Sequence, residues 1–130
     1  MGKARPKTLV LDAGALIAFE RADPRVRALL REAIRVGVEL VVPAGVVARV
    51  FRDGARQVLL RALMDGPTTV VPPLDRTLAE AAGALCGRTG TSDVVDASVV
   101  LIARRQRATV VTSDVADFKR LDPLLRVERV

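Results

Sequence analysis

Short aliphatic runs alternate along this chain with stretches that have helical spacing and helix caps. Five runs predict strands, the last of them at a sheet edge: Lys7–Leu11, Val38–Val42, Thr68–Val71, Thr109–Thr112 and Arg126–Val130. Strands this short and aliphatic, separated by helices, are typical of a parallel sheet covered by helices on both faces. The chain has 130 residues, the length of one domain. The sequence therefore predicts a single α/β domain over residues 1–130.

Caps and chain breakers place the predicted helices between these strands. The helices are Ala13–Phe19 after Asp12, Pro24 to about Val36 after Asp23, Pro43 to about Phe51, Ala55–Met64, Asp75 to about Cys86, Ser92 to about Arg105, and a short one opened by Ser113 and Asp114. Within Ala55–Met64, helical spacing predicts that Val58, Leu59 and Leu63 face the core. Residues 87–90 are predicted to be a loop.

The composition supports one aliphatic core and argues against a membrane protein. Half of the residues are hydrophobic, and no apolar run reaches the roughly 18 residues that a membrane span needs. We therefore expect no membrane partner. The basic N-terminus leads into an apolar stretch that Asp12 interrupts at once, which is unlike a secretory signal. Together with the single Cys86, which we expect to be an inert core thiol, this favours a cytoplasmic location.

The chain is strongly basic. Its formal net charge is +6, and its basic residues are 18 arginines and three lysines. Arginine suits bidentate contacts with phosphate, and a basic surface attracts polyanions. Arginine richness is also compatible with a solvated surface that binds nothing. With no Trp or Tyr and three Phe, the chain lacks the aromatic platforms on which single-stranded bases stack.

Five aspartates lie where predicted strands end or the next helices begin: Asp12, Asp93, Asp96, Asp114 and Asp117. In an α/β sheet, ligands bind at the carboxyl ends of the strands. Two carboxylates about 4 Å apart repel by roughly 4 kcal/mol at an effective dielectric near 20. A hard divalent cation bound through oxygen removes that repulsion. The chain has no His and one Cys, so Mg²⁺ or Mn²⁺ is a more plausible ion than zinc or copper.

Each of these aspartates also has a structural explanation as a helix cap or first-turn acid. The pattern of the set favours a functional cluster. Asp96 heads an almost wholly apolar helical run, so its side chain is expected to face the strand ends. Asp93 lies three residues earlier on the same helical face, and Asp114 and Asp117 repeat this spacing. The remaining aspartates are predicted to be caps and turns: Asp23, Asp53, Asp65, Asp75 and Asp122.

Four segments run in a fixed order over nearly the whole chain. They are Leu9-Val-Leu-Asp-Ala-Gly-Ala-Leu-Ile-Ala, Val42-Pro-Ala-Gly-Val-Val-Ala, Asp96-Ala-Ser-Val-Val-Leu-Ile-Ala and Val110-Val-Thr-Ser-Asp-Val-Ala-Asp-Phe. In these segments the chain resembles the PIN-domain family, and within it the small VapC-type toxins of bacterial toxin–antitoxin pairs. The resemblance implies a three-layer α/β/α fold with a parallel sheet of four or five strands in the order 3-2-1-4-5. It also implies a Mg²⁺- or Mn²⁺-dependent endoribonuclease acting on RNA, a homodimer, and an antitoxin protein as partner.

The resemblance also assigns roles to residues. The acids that would hold the metal carry over as Asp12, Asp96 and Asp114, with Asp117 as the next acid. Thr112 matches the hydroxyl residue before Asp114 and would orient Asp12 or a metal-bound water. Ser113 beside it is expected to support the site without binding the metal. Asp93 matches no family position, but its helical spacing aims it at the same crevice.

One position departs from the family pattern. Where the family usually has a metal-binding Glu after the second segment, this chain has Arg49. One interpretation is that Asp93 replaces the lost carboxylate while Arg49 turns outward to bind a phosphate. The alternative is that Arg49 fills the metal position and leaves a non-catalytic module that binds RNA or an antitoxin. If the chain is an enzyme, Arg52 and Arg56 are also predicted to contact the RNA backbone.

Overall fold

The structure is a computed structural model that describes residues 8–130, and the strands of this part form one parallel sheet. The strands are β1 Thr8–Leu11, β2 Glu39–Val41, β3 Thr69–Val70, β4 Thr109–Thr112 and β5 Val127–Arg129. Their order is β3-β2-β1-β4-β5, and every neighbouring pair is parallel. The predicted parallel sheet and its strand order are thus confirmed. The predicted start of the first strand at Lys7 lies outside the described residues.

Seven helices flank the sheet in the described part of the chain and give it three layers. They are α1 Ala13–Glu20, α2 Pro24–Arg35, α3 Ala44–Val50, α4 Val58–Met64, α5 Arg76–Thr89, α6 Val94–Gln106 and α7 Val115–Leu121. The predicted caps Asp23 and Asp75 accept backbone N–H groups at the starts of α2 and α5. None of the helices of residues 8–130 has both the length and the apolar character that crossing a bilayer would need.

Aliphatic side chains of the central strands form the core. Val10 pairs with Val41 on one side and with Val110 on the other, and all three are fully buried. Since β1 lies between β2 and β4, the winding direction of the chain reverses there. The ends of β1 and β4 are therefore adjacent, and they form the crevice that the order of strands predicts. Cys86 is a buried free thiol in this core, as expected.

The start and the phase of α4 differ from the prediction. Residues 54–56 form a turn in which Asp53 accepts the backbone N–H of Ala55 at 3.0 Å. The Gln57 side chain fixes this turn by donating to Glu20 and to the carbonyl of Val50. The helix consequently begins at Val58. The prediction that Val58 and Leu59 face the core is wrong, because they are 63% and 57% exposed, and the buried pair is Leu60 and Leu63.

The boundary between α5 and α6 also differs from the prediction. Helix α5 continues to Thr89 and ends at Gly90, which adopts the left-handed conformation with φ 71°. Most of the predicted loop 87–90 is therefore helical. Helix α6 begins after Asp93, whose carboxylate accepts the backbone N–H of Asp96 at 2.9 Å. The prediction that Ser92 caps this helix is wrong by one residue, because the Asp93 carboxylate takes the capping bond.

Two exposed glycines provide a matched test of this backbone. Gly37 follows α2 with φ 80°, whereas Gly83 lies inside α5, and an added Cβ would meet nothing within 4 Å at either position. We expect Gly37→Ala to lower the free energy of unfolding by about 1–2 kcal/mol, because an L side chain is strained in the left-handed region. Gly83→Ala should raise it by roughly 0.5–1 kcal/mol, since alanine favours a helix interior. Urea denaturation of both variants measures the difference, and equal effects would contradict the backbone described at residue 37.

Candidate functional site

Asp12 is the most rigidly held acid of the crevice. It follows β1 directly, caps α1 and is only 3% exposed. One carboxylate oxygen accepts the backbone N–H of Ala15 at 2.7 Å, and the other accepts the Thr112 hydroxyl at the end of β4. The adjacent strand ends therefore fix both oxygens of this buried side chain.

The turn after β4 is tied to the same acid. The Thr112 hydroxyl accepts the backbone N–H of Asp114 at 2.8 Å while it donates to Asp12. Asp114 stands at the start of α7 without capping it, and its carboxylate is exposed. Gly14 allows the close approach of this turn, because a Cβ there would lie 2.5 Å from the Ser113 hydroxyl. No local pattern in the sequence indicates this role of Gly14, because it depends on packing between two distant segments.

Asp93 and Asp96 form the second half of the site at the start of α6. Arg49, in the last turn of α3, donates from both terminal nitrogens to the two carboxylate oxygens of Asp93, each at 3.1 Å. The same guanidinium lies 3.7 Å from the Asp96 carboxylate. The side chains of Arg49 and Asp93 are about 40% exposed, whereas Asp96 is 19% exposed. Arg49, at the position where the resemblance to the PIN-domain family implies a Glu, therefore points into the acidic cluster.

The pKa values of these two aspartates shift in opposite directions. Burial raises the pKa of Asp96 to about 7, and the negative charges of Asp93 and Asp12 act in the same direction, while Arg49 opposes them. Burial acts to raise the pKa of Asp93 as well. The hydrogen bonds that Asp93 accepts from Arg49 and from the Asp96 backbone N–H outweigh this effect, so the pKa of Asp93 is lowered. A protonated Asp96 carboxyl can then donate to Asp93. The pair thus holds one proton below about pH 7 and loses it as the pH rises through that value.

Electrostatic interactions join Asp12 to this pair. Burial raises the pKa of Asp12, and the hydrogen bonds from Thr112 and Ala15 counteract part of that effect. The charge of Asp114 raises the same pKa, and the charge of Arg49 lowers it. Asp12 therefore lies within electrostatic reach of Asp96, Asp114 and Arg49.

A polar cleft of about 300 Å³ opens beside Asp93 and Asp96. Asp117 and Arg120 of α7 line its other side, and Ser92 and Thr91 line its edge. A larger, more apolar cavity of about 800 Å³ lies at the amino ends of the strands, next to Val38 and Thr109, away from the carboxylates. The polar cleft is the one that adjoins the titratable groups. Sequence reasoning placed Asp117 near this site but missed Arg120 and the Thr91–Ser92 edge.

Two of the three predicted phosphate-binding arginines lie outside the acidic cluster. Arg52 donates to the backbone carbonyls of Ala48 and Phe51 at 2.9 and 2.8 Å. Arg56 is 88% exposed and lies 3.7 Å from Asp53. Only Arg49 enters the crevice, because its side chain leaves α3 on the face that packs toward α6.

The donors suit a hard cation by chemistry but not by their placement. Aspartate oxygens are the ligands that Mg²⁺ and Mn²⁺ prefer. In residues 8–130, however, no group of three or more His, Cys, Asp or Glu side chains is arranged to hold a metal ion. The Arg49 guanidinium lies where it satisfies Asp93 and approaches Asp96. In this arrangement the predicted ligands Asp12, Asp96 and Asp114 do not fit a divalent ion, because a side-chain cation is already among them.

Comparison with protein families finds one match over most of the chain. The model of the PIN domain family matches residues 9–124. No curated protein matches the chain.

Several solved structures share the fold. VapBC2 from Rickettsia felis, bound to a promoter DNA fragment, aligns with TM-score 0.70 and 15% identity, covering 95% of this chain and 98% of that one. FitAB bound to the IR36 DNA fragment aligns with TM-score 0.63 and 19% identity, covering 93% and 94%. FitAcB from Neisseria gonorrhoeae aligns with TM-score 0.61 and 21% identity, covering 92% and 95%. At these identities the likeness is one of fold.

The raised pKa of Asp96 predicts a pH-dependent stability. The folded protein keeps this proton up to about pH 7, whereas the unfolded chain loses it near pH 4, so the stability falls progressively as the pH rises from about 4 to 7, and the loss is complete above about pH 7. Asparagine mimics the protonated carboxyl at every pH. We therefore expect the stability of Asp96→Asn, relative to wild type, to increase by more than about 1 kcal/mol between pH 5 and pH 8.

Urea denaturation in EDTA at several pH values measures this difference. Asp75→Asn is the matched control, because it removes an exposed carboxylate and asparagine caps a helix equally well. The control should follow the wild-type pH profile. Parallel profiles for wild type and Asp96→Asn would contradict the environment described for Asp96.

Proposed function

This chain belongs to the PIN-domain family, and from that premise we propose that it is an endoribonuclease of the VapC toxin–antitoxin type. PIN domains are generally nucleases, and the structural neighbours named above include VapBC and FitAB complexes. The proposed reaction is hydrolysis of RNA phosphodiester bonds at the cluster formed by Asp12, Asp93, Asp96 and Asp114.

The observation that best supports this proposal is the convergence of these carboxylates from distant parts of the chain. Asp12 and Thr112, which are 100 residues apart, are joined by a hydrogen bond at the adjacent ends of β1 and β4. Burial and like charge raise the pKa of Asp96 to about 7. Strongly shifted carboxylates beside a cleft are typical of functional sites, because gathering them does not favour folding.

The residues have distinct proposed roles. Asp12 is held on both oxygens and provides a fixed acid against which the substrate is positioned. Asp96, with a pKa near 7, is suited to accept a proton from the water as the water oxygen bonds to phosphorus, while the bond to the leaving oxygen breaks and that oxygen takes a proton from solvent. Asp93 takes the place of the family Glu that Arg49 replaces. Asp117 and Arg120 line the cleft into which the RNA would extend.

Dependence on Mg²⁺ or Mn²⁺ is part of the proposal. Such an ion would stabilise negative charge on the phosphate when bound. Since the carboxylates as placed do not fit the ion, binding requires the Arg49 guanidinium to leave Asp93. The carboxylate oxygens of the cluster support Mg²⁺ or Mn²⁺ as the ion. This proposal holds only if the Arg49 guanidinium can move away from Asp93.

RNA as the substrate is supported by charge. The net charge of +6 comes mainly from arginine, which forms bidentate contacts with phosphate. Arg52 and Arg56 are exposed near α3 and could contact the RNA backbone outside the cluster. The lack of aromatic platforms favours contacts with the backbone over stacking on bases.

An antitoxin protein is the proposed partner, and the homodimer implied by the family is the proposed assembly. VapBC2 and FitAB are structures of complexes, and this supports the partner. An apolar furrow of about 420 Å³ runs between α2 and α4, next to Ile34 and Leu59. Leu59 is 57% exposed and Ile34 is 44% exposed, so this furrow is suited to an apolar helix of the partner.

The ion pair of Arg49 favours a second candidate function. If the guanidinium never leaves Asp93, the chain is a non-catalytic PIN domain that binds RNA or an antitoxin. This alternative and the ribonuclease share the same fold and the same surfaces. They differ in whether the wild-type protein cuts RNA.

Cleavage of total RNA in the presence of Mg²⁺ or Mn²⁺ separates the two functions. We expect wild type to cut, and we expect Asp12→Asn to lose at least about 100-fold in rate, because the substitution removes a charge held at the reaction centre. Asp75→Asn should cut like wild type. Circular dichroism confirms that each variant is folded. RNA binding without cleavage by wild type would favour the binding module, and equal cleavage by Asp12→Asn would place the activity elsewhere.

A further inference from the structure

One guanidinium neutralises the acidic cluster. Arg49 reaches across from α3 to α6 and bonds both oxygens of Asp93, whose position in the chain is 44 residues away. Its positive charge also acts on Asp96 and on Asp12, lowering the pKa of each against the effect of burial. Arg49 thus supplies from within the chain the charge that a bound cation would otherwise supply.

This contact is incompatible with a cation in the same place. Arg49 donates hydrogen bonds to both carboxylate oxygens of Asp93, and its guanidinium lies 3.7 Å from a carboxylate oxygen of Asp96. A divalent ion between these acids would meet a positive charge at short range and would have to displace its hydrogen bonds. The ion and the guanidinium therefore exclude each other from Asp93.

The Arg49 side chain can leave without unfolding the protein. It is 40% exposed, and in the described part of the chain its bonds go to carboxylates at the rim of the site. Arg52, by contrast, is held by two backbone carbonyls. A phosphate diester presents oxygens that a guanidinium can bind in the same bidentate fashion as a carboxylate. A phosphate at the rim of the cleft thus offers Arg49 an equivalent partner.

We infer that Arg49 couples the binding of RNA to the binding of a divalent cation, so that each ligand opens the site for the other. An RNA phosphate that takes the guanidinium frees Asp93 and Asp96 for the cation. A cation that takes these carboxylates releases the guanidinium for the phosphate. Thermodynamic linkage makes the two effects equal. This inference rests on the proposed function for the identity of the two ligands, but it concerns binding and needs no cleavage.

The test measures Mn²⁺ binding from the electron paramagnetic resonance signal of the free ion. The nucleic acid is a short 2′-O-methyl RNA with unmodified phosphodiester linkages, whose integrity is checked on a gel and whose own Mn²⁺ binding is subtracted. We expect saturating oligonucleotide to tighten Mn²⁺ binding to wild type by about tenfold or more. The reciprocal experiment, in which fluorescence anisotropy reports oligonucleotide binding with EDTA or with Mn²⁺, should give the same factor.

Two arginine variants identify the coupling residue. Arg49→Gln should bind Mn²⁺ at least about tenfold more tightly than wild type without RNA, and the oligonucleotide should no longer change this affinity. Arg76→Gln is the matched control, because Arg76 is 92% exposed on α5 and pairs with Glu80 away from the cluster. It should behave like wild type in both experiments.

The outcomes separate this inference from the proposed function. Equal Mn²⁺ affinity of wild type with and without oligonucleotide would overturn the inference, even if the protein cuts RNA. Unchanged affinity in Arg49→Gln would overturn it as well. Coupling that disappears in Arg49→Gln would support it, even if the wild-type protein were found to cut no RNA and the ribonuclease proposal failed.

Discussion

Repulsion among carboxylates at one end of the sheet is the constraint on which this site depends. The register of β1 with β4 brings Asp12 beside Thr112, and the start of α6 brings Asp93 and Asp96 to the same crevice. The fold must offset the charge that it gathers there. It does so by three means, which are hydrogen bonds to Asp12, a proton held on Asp96 and the guanidinium of Arg49.

These three means differ in how easily they can be reversed. The bonds to Asp12 are buried and form part of the sheet edge, so they persist as long as the fold does. The proton on Asp96 exchanges near neutral pH. The Arg49 contact is half-exposed and can be exchanged for another anion. A rigid acid, a titratable acid and a displaceable cation together form a site that is stable when empty and able to respond to a polyanion.

Local sequence patterns were sufficient for the strands and for two helix caps, whereas the strand order was implied by the resemblance to the PIN-domain family. The aliphatic runs and the caps at Asp23 and Asp75 depend on neighbours in the chain, and the structure confirms them. The phase of α4 was not predictable in this way, because the side chain of Gln57 sets it through bonds to Glu20 and Val50. The contact of Arg49 with Asp93 likewise depends on how α3 packs against α6. The resemblance to the family implied a Glu at the position of Arg49, but it could not indicate which way the Arg49 side chain points.

In the free protein the Arg49 guanidinium takes the place of a cation among the carboxylates. A crystal structure of the wild-type chain grown with Mn²⁺ and without RNA tests this most directly, through the anomalous scattering of manganese. We expect Arg49 to be bonded to both oxygens of Asp93 and no manganese peak to lie among Asp12, Asp93 and Asp96. A strong manganese peak bound to these carboxylates in the absence of RNA would contradict it.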